Sequence, residues 1–173
     1  MRWCASHRFD PAGARLADRH YSRVKIGSPQ FAPLGSCCVF LTDCGRGLWV
    51  TSAPQYGRHE WRGAWVNSLF RSEGAGVASA LIREAIAATR AALGDPPANG
   101  MITFINRDMV RPTKVRGRDV WGWCYRKAGF VEVGETKINR HLVLQMLPEA
   151  MPAPAQARQR AVHGMPLFDR VAS

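Results

Sequence analysis

One stretch constrains the fold of this chain more than any other. From Gly76 to Leu93, Val77, Leu81, Ala85, Ala88 and Ala92 recur at helical spacing, with Arg83, Glu84 and Arg90 off that stripe. This is the period of an amphipathic helix, and Gly94-Asp95-Pro96-Pro97 ends it. Strand-like runs lie on both sides. Ser36–Thr42, Gly47–Ala53 and Ala64–Phe70 precede the helix; they are short, β-branched or aromatic, and bounded by turn residues. Asp43-Cys44-Gly45-Arg46 reads as a hairpin loop between the first two. After the helix, Met101–Asn106 reads as a buried strand and Arg107–Val120 as a basic loop. Trp121–Ala128 can make two helical turns before Gly129, and Val131–Val133 and Leu142–Leu147 supply further strands. A long helix between two buried strands predicts a single α/β (α+β) domain on one sheet, spanning residues 1–147. Residues 148–173, rich in Pro, Ala and Gln, read as a flexible tail.

Composition narrows the function. An apolar fraction of 46% excludes a wholly disordered chain. No apolar run approaches the ~18–20 residues of a membrane helix. The start, Met1-Arg2-Trp3-Cys4, lacks the apolar stretch of a signal peptide, so a cytoplasmic protein is expected, in the host cytoplasm if phage-encoded. There Cys4, Cys37, Cys38, Cys44 and Cys124 would be reduced thiols. The formal charge is +11, and 20 of the 24 cations are arginine, which pairs bidentately with phosphate. Residues 1–25 carry a balance of +4 and residues 107–127 a balance of +5. Two such stretches make a nucleic-acid patch if the fold unites them, and two solvated faces if it does not.

The strongest local signal is Arg71-Ser72-Glu73-Gly74-Ala75-Gly76-Val77-Ala78, where a strand runs through a glycine turn into the helix. Such a turn aims backbone N–H groups and the helix dipole at one point, where a phosphate can sit. No Gly-Lys-Ser/Thr follows, and the three-glycine dinucleotide spacing is absent. Small residues at an ordinary strand–helix turn are the alternative.

Arg71-x-x-Gly74-x-Gly76 resembles the pyrophosphate loop of the GNAT acyltransferases, and Tyr125-Arg126-Lys127-Ala128-Gly129-Phe130 resembles that superfamily's Tyr-x-Lys-x-Gly-Phe segment. The resemblance covers roughly residues 15–147. It implies a central mixed sheet flanked by helices, with a splayed strand pair, and acetyl-CoA or another acyl-CoA as donor. It assigns Leu69, Arg71, Glu73, Gly74, Ala75, Gly76 and Val77 to the donor site, with backbone N–H groups from Glu73 to Val77 on the pyrophosphate. The strand end at Leu69 would polarise the donor carbonyl. Tyr125 would protonate the departing thiolate, or else pack under the sheet. Glu73 departs from expectation, because a carboxylate beside a pyrophosphate is repulsive unless it turns away.

Upstream, Leu16-Ala17-Asp18-Arg19-His20-Tyr21-Ser22-Arg23 followed by Gly27-Ser28-Pro29 resembles the Mom-type bacteriophage DNA-modification proteins. The resemblance implies an enzyme that modifies the exocyclic amine of adenine in double-stranded DNA and so protects phage DNA from restriction. His20 would be a base or positioning group, and Tyr21 a second hydroxyl or stacking ring. Arg107, Arg111, Lys114, Arg116 and Arg118 are the candidate DNA-binding cations. Trp49, Trp61, Trp65, Trp121 and Trp123 are candidate stacking rings, though most belong in a core. No metal site is expected: Cys37 and Cys38 point to opposite faces of a strand, and the histidines show no ligand spacing. Cys124 reads as a buried thiol rather than a nucleophile. Gly164-Met165-Pro166-Leu167-Phe168 loosely resembles the pentapeptides that bind the bacterial sliding clamp. Two other functions fit the same residues, a conventional acetyl-CoA-dependent N-acetyltransferase of a small amine or protein, and a non-catalytic nucleic-acid-binding module.

Overall fold

A computed structural model describes residues 1–53 and 60–160. Nine strands and three α-helices follow one another in the order β1 (Trp3–Ser6), α1 (Pro11–Ala17), β2 (Cys37–Thr42), β3 (Gly47–Ser52), β4 (Trp65–Ser72), α2 (Ala78–Leu93), β5 (Met101–Ile105), β6 (Thr113–Val115), β7 (Arg118–Val120), α3 (Trp123–Ala128), β8 (Val131–Glu135) and β9 (Leu142–Met146). Seven strands form one mixed sheet in the order β1-β2-β3-β4-β5-β9-β8, and β6 and β7 form a two-stranded sheet of their own. All neighbours in the large sheet run antiparallel except β4 and β5, which α2 joins as a parallel pair.

The sheet is covered on both faces. On one, Leu81, Ile82, Ala85 and Ile86 of α2 and Tyr125 and Ala128 of α3 pack on Phe40, Trp49, Trp65 and Met101. Two indole N–H groups fasten this layer. Trp3 Nε1 donates to the Leu81 carbonyl at 2.9 Å, and Trp49 Nε1 to Thr89 Oγ1 at 3.2 Å. On the other face, Leu16 and Ala17 of α1 pack on Val39, Leu41, Leu48 and Val50. The apolar face of α2 is shifted from the expected stripe. Val77 is the exposed N-cap and Ala92 is exposed, while Ile82, Ile86 and Thr89 are buried. The helix starts at Ala78, two residues later than expected, and Leu81, Ala85 and Ala88 of the expected stripe stay buried, joined by Ile82, Ile86 and Thr89.

Three elements lie outside the expectations. β1 forms an edge of the sheet, α1 covers β3 and β4, and the expected basic loop contains the β6–β7 hairpin. α1 begins at an N-cap, Asp10, whose carboxylate accepts from Ala12 N at 2.8 Å and Gly13 N at 3.3 Å and from Ser6 Oγ at 2.8 Å. Burial pushes the Asp10 pKa up, but these bonds and the Arg160 charge hold it below the usual carboxylate value. Such a cap contributes about 1 kcal/mol.

The stretch after β9, expected to be a flexible tail, is fastened as far as residue 160. Ala155 N donates to the Ala87 carbonyl, Arg90 Nη1 to the Pro152 carbonyl, and Arg158 exchanges backbone hydrogen bonds with Trp3 and Ala5 on the outer side of β1. The clamp-like pentapeptide 164–168 and the histidines at 59 and 163 lie outside the described residues.

Candidate active site

The β4–β5 pairing runs only from Trp65–Met101 to Asn67–Thr103. Beyond it lies a cavity of about 160 Å³ between Ser68, Leu69 and Phe70 on one strand and Phe104 and Ile105 on the other. His20 and Tyr21 border it from one side, and Val110, Gly122, Cys124 and Tyr125 from the other. The cause of the opening is local. Opposite Val50 and Thr51, β4 has one extra residue, Ser68. A bulge of this kind bends its strand and exchanges the faces of the residues that follow. Leu69 therefore packs with α1, and Phe70 turns towards Trp49 and Tyr125.

Asn67 holds this geometry, and nothing in the sequence marked it. Its side chain is buried, with Nδ2 donating to the carbonyls of Val50 (2.9 Å) and Leu69 (3.1 Å), one on each strand at the bulge. Its Oδ1 accepts the Tyr125 hydroxyl at 2.5 Å, and Thr103 Oγ1 donates to its backbone carbonyl at 3.2 Å. A lone asparagine in a strand-like run carries no periodic or motif signal, so only the bulge reveals its role. Leu69, whose strand end is expected to polarise the donor carbonyl, lines the cavity, and its own carbonyl accepts from this amide.

Tyr125 lies in the cavity wall with edge-on contacts to Phe70 and Phe130. Burial raises its phenol well above the ordinary value, so it stays protonated at neutral pH. Its proton is directed at Asn67, which leaves the phenolic oxygen as an acceptor. His20 stacks on Tyr21 with ring centroids 4.4 Å apart. The Ser22 backbone N–H donates to His20 Nδ1 at 3.2 Å, and Ser22 Oγ lies 2.7 Å from the same atom. A nitrogen that accepts an N–H carries no proton, so the neutral ring holds its proton on Nε2. Burial, then the charge of Arg71, pushes the His20 pKa down to about 4. In this arrangement His20 is neutral at physiological pH and presents Nε2–H as a hydrogen-bond donor. The Tyr21 hydroxyl donates to the Phe104 carbonyl at 3.0 Å, on the part of β5 that has lost its β4 partner. Burial pushes the Cys124 thiol up, as expected for an inert cysteine.

The glycine loop joins β4 to α2. Gly74 (φ +77°) and Gly76 (φ +143°) adopt backbone conformations that side chains disfavour. A Cβ on Gly76 would come within 2.2 Å of the Arg2 guanidinium, and one on Gly74 within 3.6 Å of that of Arg46. The N-cap of α2 has no side-chain bond, and among the described residues the N–H groups of Gly74, Ala75, Gly76 and Val77 have no protein acceptor. The Glu73 N–H does not belong to this set, because it donates to the Arg46 carbonyl at 2.8 Å. The Glu73 carboxylate turns away from the loop: hydrogen bonds from Arg71 Nε (2.7 Å) and Arg19 Nη2 (2.8 Å) hold its pKa low. Arg71 is thus paired, and its Nη1 also donates to the Arg19 carbonyl at 2.5 Å.

Of the candidate DNA-binding cations, Arg107 is held by Glu135, and Lys114 pairs at the surface with Asp119 (2.8 Å). Arg116 and Arg118 are exposed on the β6–β7 hairpin, and Arg111 is exposed just before it. Trp49 and Trp65 are core residues and cannot stack on a base. Trp121 and Trp123 are half-buried beside the cavity; Lys127 Nζ lies 5.8 Å over the Trp123 ring, and Trp121 Nε1 donates to the Val110 carbonyl. Among the described residues no three His, Cys, Asp or Glu side chains gather as metal ligands, and no helix is long and apolar enough to cross a membrane. No protein-family model, curated protein or solved structure matches the chain.

Proposed function

We propose that the protein is a GNAT-type transferase that uses acetyl-CoA or another acyl-CoA to modify a base in double-stranded DNA, with the exocyclic amine of adenine as first candidate acceptor. The observation that carries the reading is the parallel β4–β5 pair, which opens at Asn67 and Thr103 into a cavity lined by Tyr125, with a glycine loop at the end of the same β4. The loop fits the diphosphate of coenzyme A. Its four unpartnered N–H groups and the uncapped first turn of the sixteen-residue α2 accept negative charge, and Arg2 and Arg46 lie against its glycines. When bound, such a donor supplies an activated acyl carbon.

The chain's own groups suit an amine acceptor. The Tyr125 oxygen, with its proton given to Asn67, can accept an acceptor N–H and so orient the amine. Nε2–H of His20 can donate to a ring nitrogen or carbonyl beside that amine. An exocyclic amine reaches a cavity lined by these residues only if its base leaves the stack. The exposed arginines lie on or just before a hairpin whose flanking residues, Val110 and Gly122, line the cavity, and they favour a polyanionic acceptor over a small cationic amine.

Digestion of plasmid DNA from cells making the protein, followed by nucleoside mass spectrometry, tests the reading. A deoxynucleoside of increased mass is expected with the wild type and not with Gly76→Val, which crowds the phosphate loop. Unmodified DNA from cells that contain folded wild-type protein would overturn the assignment of DNA as acceptor. Calorimetry with coenzyme A tests the donor separately.

A further inference from the structure

The β6–β7 hairpin has features that the sheet does not require. It makes no ladder with the seven-stranded sheet. Its pairing (Thr113–Val120, Lys114–Asp119, Val115–Arg118) leaves a two-residue turn, Arg116-Gly117. Both turn residues are left-handed, with φ of +49° and +78°, as a type I′ turn demands. Asparagine followed by glycine is the favoured pair there, and a long side chain at the first position is strained. Turn chemistry therefore does not account for Arg116. A residue held in an unfavourable backbone region is a pointer to function.

The hairpin is also placed for a role. Both its feet are cavity walls: Val110 enters it and Gly122 leaves it, and Trp121 Nε1 clamps them by its 3.0 Å bond to the Val110 carbonyl. Whatever the tip grips is held at a set distance from Tyr125. Three-residue strands give an arm of about 10 Å, and paired strands lie about 4.8 Å apart. With side chains, a ribbon of that width enters a groove of about 12 Å and not one of about 6 Å, and its length reaches a floor about 8.5 Å deep. These are the dimensions of the DNA major and minor grooves. Arg116 stands at the tip, with Lys114 and Arg118 along the sides and Arg111 at the base just before β6, and none of the three arginines has a side-chain partner among the described residues.

We propose that the β6–β7 hairpin is a base-reading ribbon that enters the major groove of the DNA substrate, with Arg116 as a specificity-determining residue that pairs with a guanine edge. The proposal rests on the reading of DNA as acceptor. Arginine donates two parallel N–H bonds to guanine O6 and N7, the commonest specific contact in that groove. Arg118 on the side and Arg111 at the base meet phosphates and set affinity without sequence preference. The modified base would then lie at a fixed offset from a guanine.

Selection from a pool of duplexes with a randomised centre, combined with salt titration of binding, tests this. Arg116→Gly and Arg116→Asn relieve the turn, so both variants should melt no lower than the wild type. Wild-type protein should enrich guanine at one position, and both variants should lose that preference by about tenfold while keeping the salt slope. Arg118→Ala should keep the preference and reduce the slope of log affinity against log salt by about one. If Arg116→Gly selects the same bases as the wild type, or lowers affinity for all sequences alike, base reading is overturned and DNA as acceptor stands. If wild-type protein binds no duplex, DNA as acceptor falls and the ribbon with it.

Discussion

Two regions of this chain have nearly the same charge and place it differently. Residues 1–25 and 107–127 are comparably basic. In the first, Arg2 pairs with Glu84, Arg8 donates to the carbonyls of Pro33 and Gly35, Arg19 pairs with Glu73, and Arg23 holds Asp18 and the carbonyls of Ser28 and Gln30. These arginines shape the long connection between α1 and β2, which has few apolar residues in the core and is organised by guanidinium groups. In the second region Arg107, Lys114 and Arg126 are paired with Glu135, Asp119 and Glu132, but Arg116 and Arg118 on the ribbon and Arg111 just before it face solvent. Net charge along a sequence therefore does not locate an anion-binding surface. What separates the two regions is the local supply of carbonyls and carboxylates within reach of each guanidinium.

The sharpest test of that contrast is Arg23→Ala. Its side chain is 9% exposed, and its loss takes a donor from Asp18 and from the carbonyls of Ser28 and Gln30, so the protein should melt several degrees lower. The salt slope for DNA should stay unchanged. A stable Arg23→Ala protein with weakened DNA binding would erase the distinction between the regions.

A second test uses pH. His20 belongs to the first region and is kept neutral by burial and by Arg71. Its pKa is about 4 when folded and 6.5 in the unfolded chain, so between those values the unfolded state binds the extra proton. Stability should rise with pH from about 4 to 6.5 and then level off. His20→Gln should flatten that rise in thermal melts taken across the range. A rise that persists unchanged in the variant would assign the dependence to other groups.

Arg107 tests the boundary itself. It lies in the second region by sequence but behaves as the first, through Glu135. Arg107→Ala should cost at most about 1 kcal/mol, because both partners are partly solvated, and should leave the salt slope intact. The smallest effect on stability is expected from Arg111→Ala combined with Arg118→Ala. Melting should shift by less than the equivalent of about 0.5 kcal/mol, while the salt slope falls by about two.

Hydrophobic period was a good guide wherever a long apolar face meets the sheet. β2, β3, β4, α2, β5, α3, β8 and β9 lie within two residues of their expected bounds. It failed for elements that a few polar contacts hold together. α1 has seven residues and a central Gly13 that packs on the Phe31 ring, so its only sequence mark was Asp10-Pro11, an N-cap before a first-turn proline. β1 is four residues long, and its outer neighbour, Arg158, is far away in sequence. The β6–β7 hairpin was obscured because its turn is Arg-Gly and not Asn-Gly. The candidate site was legible in part. The glycine loop, His20, Tyr21 and Tyr125 could be named as residues, and three of them meet at one cavity. Their protonation could not be read, because it depends on Ser22, Asn67 and burial, none of which leaves a pattern in the sequence.

The backbone contact between Arg158 and β1 has a consequence for how the chain is made. β1 is the edge of the main sheet, and its outer hydrogen-bonding groups stay open until a segment synthesised roughly 150 residues later arrives to occupy them. During translation the nascent sheet would present an unsealed strand that another nascent chain could pair with. A version shortened before Ala157 should therefore show its defect first as association between copies, visible by light scattering at rising concentration, and only second as a lower melting temperature.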